Sequence, residues 1–187
     1  MVRGDGTGPD LDRALGDPPR LVVANLPYNV ATPILLRLVD LPEPPARMAL
    51  MFQREVADRI VSPGASRDFG PLSVAVSLRF TASVAMKLSP GAFVPRPKVS
   101  SAVVLFERLQ SPLADADVRA EARRLARMAF NQRRKMLRRS LASAGPALSE
   151  ILAQAAVPPD ARPEQLRTDD FVRMGRVSLE LGTAAPT

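Results

Sequence analysis

The sequence predicts an α/β chain: strands alternating with helices over its first part, then a small all-helical domain. Three observations predict it. Short apolar runs, too brief for helices, recur before residue 110, at 21–24, 48–52, 84–88 and 101–106. The first three are separated by stretches with helical spacing, the pattern of βαβ units and a mostly parallel sheet. Beyond Gln110 only helical patterns remain. At 187 residues with 46% apolar residues, the chain can build a real core as one large domain or two small ones.

The elements follow in order. Residues 1–20, rich in Gly, Asp and Pro, read as loop or short helix. Leu21–Ala24 reads as a buried strand. Thr32-Pro33 opens a helix, with Pro33 in the first turn and Ile34, Leu35, Leu36, Leu38 and Val39 turned inward. After the rigid Leu41–Pro45 link, Met48–Phe52 is a second buried strand and Gln53–Val61 a helix that Ser62-Pro63-Gly64 stops. Pro71–Thr81 reads as helix, Val84–Leu88 as a third strand and Ser101–Phe106 as a fourth. No helix separates those last two strands, so one of them runs antiparallel. Helices are expected over about 117–129, 131–143, 147–155 and 168–181. The division is drawn at residue 110: 1–110 and 111–187.

Composition narrows the chemistry. Cysteine and histidine are both absent. That removes disulfides, thiol catalysis, the usual general base and the commonest metal ligand, and no metal site is expected. Group transfer from an activated donor suits such a chain better than hydrolysis. No apolar run approaches the ~20 residues that span a bilayer, and the N-terminus has no apolar signal-peptide core; a soluble, cytoplasmic chain is expected. The net charge is +7. Nine of the 26 basic residues lie between Arg119 and Arg139, against one acid, Glu121. A local cluster of that kind is an electrostatic footprint for nucleic acid.

The most informative run is Asn25-Leu26-Pro27-Tyr28, which holds the only tyrosine. It sits at the C-terminal end of the first strand, where open α/β sheets bind ligands. The Asn25 side-chain oxygen and the Leu26 carbonyl can accept both hydrogens of an exocyclic amine. An adenine amine is a poor nucleophile, because its lone pair is delocalised into the ring. Two acceptors favour a more pyramidal nitrogen. Pro27 restricts Leu26 to extended geometry, and Tyr28 can stack on a base. Positioning and electrostatics would then carry the rate without a dedicated base.

Five ordered blocks extend the pattern: Asn25–Pro33, Met51–Arg59, Phe69–Val74, Phe93–Ser101 and Phe130–Arg138. In this order they resemble the ribosomal RNA adenine dimethyltransferases, the KsgA/RsmA family, from about residue 20 to about 176. Erythromycin-resistance methylases have a similar catalytic half, but the Gln132-Arg133-Arg134-Lys135 block favours the small-subunit branch. The resemblance implies a truncated Rossmann-type methyltransferase sheet, with a helical RNA-docking domain after residue 110. It implies transfer of methyl groups from S-adenosylmethionine to adenines of small-subunit ribosomal RNA, on a pre-30S particle and as a monomer. Asn25, Leu26, Pro27 and Tyr28 match the target-adenine motif, and Asn25 also lies near the cofactor. Phe93 matches the aromatic that sandwiches the adenine opposite the tyrosine. Arg133, Arg134, Lys135, Arg138 and Arg139 match a basic helix that meets the RNA backbone.

Two departures accompany the resemblance. Ser77 stands where the family usually has Gln, which loosens a contact. The family's glycine loop lies well before its Asn-Leu-Pro-Tyr, whereas 24 residues precede Asn25 here. Gly4–Gly8 mimics that loop but sits too close. Asp5 better matches a later aspartate that contacts the cofactor's adenine, with Gly6 in place of alanine. The first three strands of the family sheet are therefore expected to be missing, and S-adenosylmethionine to bind weakly or not at all. The alternative reading is an RNA- or pre-ribosome-binding fragment without methyltransferase activity.

Overall fold

The computed structural model describes residues 15–18 and 20–182. Four strands form one sheet: β1 (Leu21–Ala24), β2 (Arg47–Gln53), β3 (Phe80–Leu88) and β4 (Ser101–Arg108). Their order is β1-β2-β4-β3. β1 and β2 are parallel, with Val23 opposite Ala49. β4 runs antiparallel to both its neighbours. The helices are α1 (Tyr28–Asp40), α2 (Arg54–Ile60), α3 (Pro71–Ser77), α4 (Ala116–Asn131), α5 (Leu137–Ser140), α6 (Leu148–Gln154) and α7 (Thr168–Glu180). The chain separates into two compact units, 1–61 with 79–110 and 62–78 with 111–187. Residues 62–78 thus fall with the helical unit, whereas a single cut at 110 assigns them to the sheet.

In the sheet unit, Leu35, Leu38 and Val39 of α1 join Met48, Leu50, Phe52, Val104 and Phe106 in the core. Phe106 takes Phe52 and Phe80 edge-on, with ring centroids 6.3 and 6.4 Å away. Three sequence expectations need correction. β1 is not buried: Leu21 and Val23 are 73% and 85% exposed. It is one of the two edge strands, and among the described residues nothing covers that face. α1 begins at Tyr28, not at Thr32, so Pro33 lies inside it. The helix starts early because Pro27 caps it, its carbonyl accepting the amides of Val30 and Ala31 at 3.1 and 3.0 Å. β3 begins at Phe80, so α3 ends at Ser77 rather than running to Thr81. The carbonyl of Arg79, just before β3, accepts the amide of Leu109, just after β4, at 2.8 Å.

The helical unit closes around Phe69, Leu125, Ala129, Leu137, Ile151, Phe171 and Met174. Phe69, Phe130 and Phe171 form a triangle of rings 5.9 to 6.4 Å apart. Ser77 makes a contact here rather than loosening one: its hydroxyl lies 2.6 Å from Thr168 Oγ1 at the start of α7. Small residues bring α4 and α7 close. A Cβ added at Gly175 would stand 3.0 Å from the Ala122 nitrogen and the Val118 oxygen, both backbone atoms that cannot step aside. Gly175→Val is therefore expected to lower stability by about 1–3 kcal/mol through overpacking. Thermal unfolding of the variant checks this, and an unchanged midpoint would show that the helices can separate freely.

The expected helix over 131–143 is the largest local error. Helix α4 ends at Asn131, Gln132–Met136 is a turn, and α5 is one short turn of helix. A continuous helix would stack Arg134 on Arg138 and Lys135 on Arg139, like charges at i,i+4 that repel. The turn separates them, and the first amides of α5 find other partners. Leu137 donates to the Ala161 carbonyl at 2.8 Å and Arg138 to that of Pro159 at 3.0 Å.

Candidate active site

Four chain segments meet at one rim of the sheet: the ends of β1, β2 and β3 and the start of antiparallel β4. That rim is where the crevice of an open α/β sheet lies. A pocket of about 350 Å³ opens there, lined by Asn25, Leu26, Pro27, Tyr28, Met51, Phe93, Pro95 and Pro97. Its size is at the lower end for small-molecule sites. The lining is two aromatic rings, three prolines, Leu26, a thioether and one amide, which suits a flat, partly polar ring.

Each lining residue has a local cause. Asn25, Leu26 and Pro27 form the link between β1 and α1, held short because Pro27 is also the helix cap. Tyr28 is the first residue of α1 and half-buried. Its hydroxyl lies 2.6 Å from the Ser101 Oγ at the start of β4. Phe93 follows the 3-10 turn Pro90–Ala92 in extended conformation. A bulge between Val84 and Met86 shifts the β3–β4 register just before this loop, a device common at the rims of sites. At the loop's other end the Arg54 amide donates to the Ser100 carbonyl at 2.9 Å. Arg96 and Lys98 on the loop are exposed.

The structure thus brings Asn25, Leu26, Pro27, Tyr28 and Phe93 to one pocket. Asp5, the other expected cofactor residue, lies outside the described residues. Met51, Pro95 and Pro97 line the pocket although the sequence reading gave them no role there. Met51 is 8% exposed and lies in a continuous apolar strand, where sequence period gives no sign of which residue reaches a cavity. Ser101 was also missed, and its signal was available: a serine opening an otherwise apolar strand, here 0% exposed.

A methyl donor such as S-adenosylmethionine also needs partners for a ribose and for an amino-acid end. Among the described residues that line the pocket none is a carboxylate or a cation. The pocket's residues fit a base and do not fit the rest of such a donor.

The basic block divides into two kinds of residue. Arg133 is committed within the protein: it donates to the Arg67 carbonyl, lies 3.8 Å from Glu164 and stands 6.0 Å from the Phe130 ring centre. Arg138 pairs with Asp160 at 3.1 Å. Arg134, Lys135 and Arg139 are exposed, with no ion pair among the described residues. Within the helical unit, Glu121 is the buried acid of α4. Arg124 holds it through two hydrogen bonds of 2.6 Å, and Ser178 donates a third of 2.6 Å. Burial pushes its carboxyl up, but the bonds from Arg124 and Ser178 and the Arg124 charge outweigh that and hold it below its ordinary value.

Residues 14–177 match the family described as Ribosomal RNA adenine dimethylase. A Ruegeria sp. (strain TM1040) protein named Ribosomal RNA small subunit methyltransferase A is 47% identical over 168 residues, covering 88% of this chain and 59% of that protein. A Xanthobacter autotrophicus protein of the same name is 40% identical over 188 residues, covering 99% and 65%. The chain therefore spans about three fifths of the length of these curated relatives. A crystal structure of a dimethyladenosine transferase from Plasmodium falciparum superposes with a TM-score of 0.72 at 21% identity, covering 89% of this chain and 70% of that one. The 23S rRNA methyltransferase ErmE superposes at 0.64 with 20% identity, covering 86% and 66%. These two share the Rossmann-like methyltransferase fold with this chain. By the extent of the family match and the identity of its relatives, the chain belongs to the ribosomal RNA adenine dimethylase family.

Proposed function

We propose that this chain supplies the base-holding and RNA-docking parts of a small-subunit ribosomal RNA adenine N6,N6-dimethyltransferase that uses S-adenosylmethionine. The observation that carries this is the meeting of Asn25, Leu26, Tyr28 and Phe93 in one pocket at the sheet rim. The donor would supply an electrophilic methyl group. The chain's own residues would accept the hydrogens of the adenine amine, at Asn25 Oδ1 and the Leu26 carbonyl, and hold the ring against Tyr28 and Phe93. The substrate is taken to be an unpaired adenine of the small-subunit RNA, met on a pre-30S particle in the cytoplasm by a monomer. A second reading, an RNA-binding fragment without methyl transfer, is favoured by the lack of any charged residue among the described residues of the pocket lining. Calorimetric titration of S-adenosylmethionine into the 187-residue chain tests the second reading. No saturable heat below millimolar donor is expected, and micromolar binding would refute the fragment reading.

Docking is assigned to Arg134, Lys135 and Arg139, the exposed cations of the turn and α5 that have no ion pair among the described residues. Arg133 and Arg138 are left to structural contacts. Each phosphate contact contributes roughly 0.7–0.9 to the slope of log affinity against log salt. Replacing the three residues with Ala is expected to weaken binding to a small-subunit RNA fragment and to flatten that slope by roughly 2–3. Filter binding at several salt concentrations reads both, and unchanged values would mean the cluster is only a solvated surface.

A further inference from the structure

Ser101 lies outside the pocket, yet it touches the one pocket residue whose orientation matters most. Its Oγ is 2.6 Å from the Tyr28 hydroxyl. Ser101 is 0% exposed and is fixed from both sides, paired with Gln53 of β2 and with Leu88 of β3. Tyr28, by contrast, is the first residue of α1, half-buried on the pocket wall. A ring attached at a helix start can turn about two side-chain bonds, and stacking on a base needs one face of it turned to the pocket. A bond from its far end to a buried strand residue removes that freedom before any ligand arrives. Affinity gained by such preorganisation comes from ordering cost already met in the free protein.

We infer that Ser101 is a positioning residue that holds the Tyr28 ring in its stacking orientation, acting on a bound nucleobase only through Tyr28. The role rests on the base-holding function proposed above. It places a polar residue inside the sheet for a reason that folding alone does not supply. A valine or alanine would serve equally well beside Ala102 and Val103 in a buried strand end.

The chain offers clean probes for this. It has one tyrosine and no tryptophan, so the near-ultraviolet tyrosine circular dichroism band reports Tyr28 alone. A short single-stranded RNA carrying one 2-aminopurine, a fluorescent adenine isomer, reports stacking by quenching. Ser101→Ala is expected to shrink the tyrosine band and to weaken the RNA about two- to tenfold, the worth of one hydrogen bond. Tyr28→Phe breaks the same bond from the other side and should weaken the RNA by a similar factor. Adding Ser101→Ala to Tyr28→Phe should cost nothing more, because residues that act as one unit are not additive. A serine that only supported the fold would lower affinity equally in both backgrounds, and that result overturns the inference. So does a Ser101→Ala chain with unchanged band and affinity. A wild-type chain that never quenches the probe, while Ser101→Ala still shrinks the band, would instead overturn the base-holding function and the stacking role with it.

Discussion

Asn25→Ala should lower methyl transfer by about 10²–10³ while leaving RNA affinity nearly intact, the range for losing one preorganised polar contact to a reacting group. Asn25 is exposed in the link between β1 and α1 and lines the pocket. Among the hydrogen bonds of the described residues none involves its side chain, so its loss should cost the fold little. RNA affinity is assigned to phosphate contacts in the other unit, from Arg134, Lys135 and Arg139, which one amide at the sheet rim does not touch. The two effects therefore separate. The measurement is single-turnover transfer at saturating RNA in a chimera in which this chain replaces the matching part of the Ruegeria relative, with RNA affinity measured in parallel. Near-normal turnover would reduce Asn25-Leu26-Pro27-Tyr28 to an ordinary turn.

The largest stability effect is expected at Glu121, in the helical unit. Glu121 is 4% exposed and carries three hydrogen bonds. Glu121→Ala would leave the Arg124 guanidinium and the Ser178 hydroxyl without their shared partner. Breaking a buried pair from one side typically costs about 3–5 kcal/mol. Arg124 keeps a side-chain exposure of 23% and can recover some hydration, which argues for the lower end, about 3 kcal/mol. Glu121→Gln should cost less, since an amide oxygen can still accept from Ser178. The acid dependence has a definite sign. The folded carboxyl is held below its ordinary value of 4.5, so the unfolded chain binds the proton first. The stabilisation is fully present above pH 4.5 and is lost as pH falls through the lowered native value. Urea unfolding at a series of pH values should show wild type and Glu121→Gln converging in acid. A constant gap would mean that the carboxylate's charge is not what stabilises the helix pair.

Much of the site was legible in the sequence because its parts are local. Asn25-Leu26-Pro27-Tyr28 is a contiguous run whose proline stiffens it and whose position after an apolar strand puts it at a sheet end. Phe93 was singled out by its match to an aromatic of the resembled family. The helical character after Gln110 was legible from spacing alone. Other features depend on partners far away in sequence. The basic block has good helix formers throughout, yet it is a turn, because the amides at its end bond to the carbonyls of Pro159 and Ala161 and because its cations repel one another in a helix. Ser77, read as a departure from a family pattern, turns out to meet Thr168, 91 residues on.

What the sequence determined by itself is the class of the chain, the order of its strands and helices, and the chemical kinds of residue at the sheet rim. These depend on apolar period, on proline and on residue type, all properties of neighbours along the chain. Tertiary structure alone decided which strand stands exposed at a sheet edge and which arginines of the basic block make contacts within the protein. It alone set Ser101 beneath Tyr28 and Met51 in the pocket wall. Each of these is a contact between residues distant in sequence, fixed by strand register and helix packing, and no local pattern encodes it.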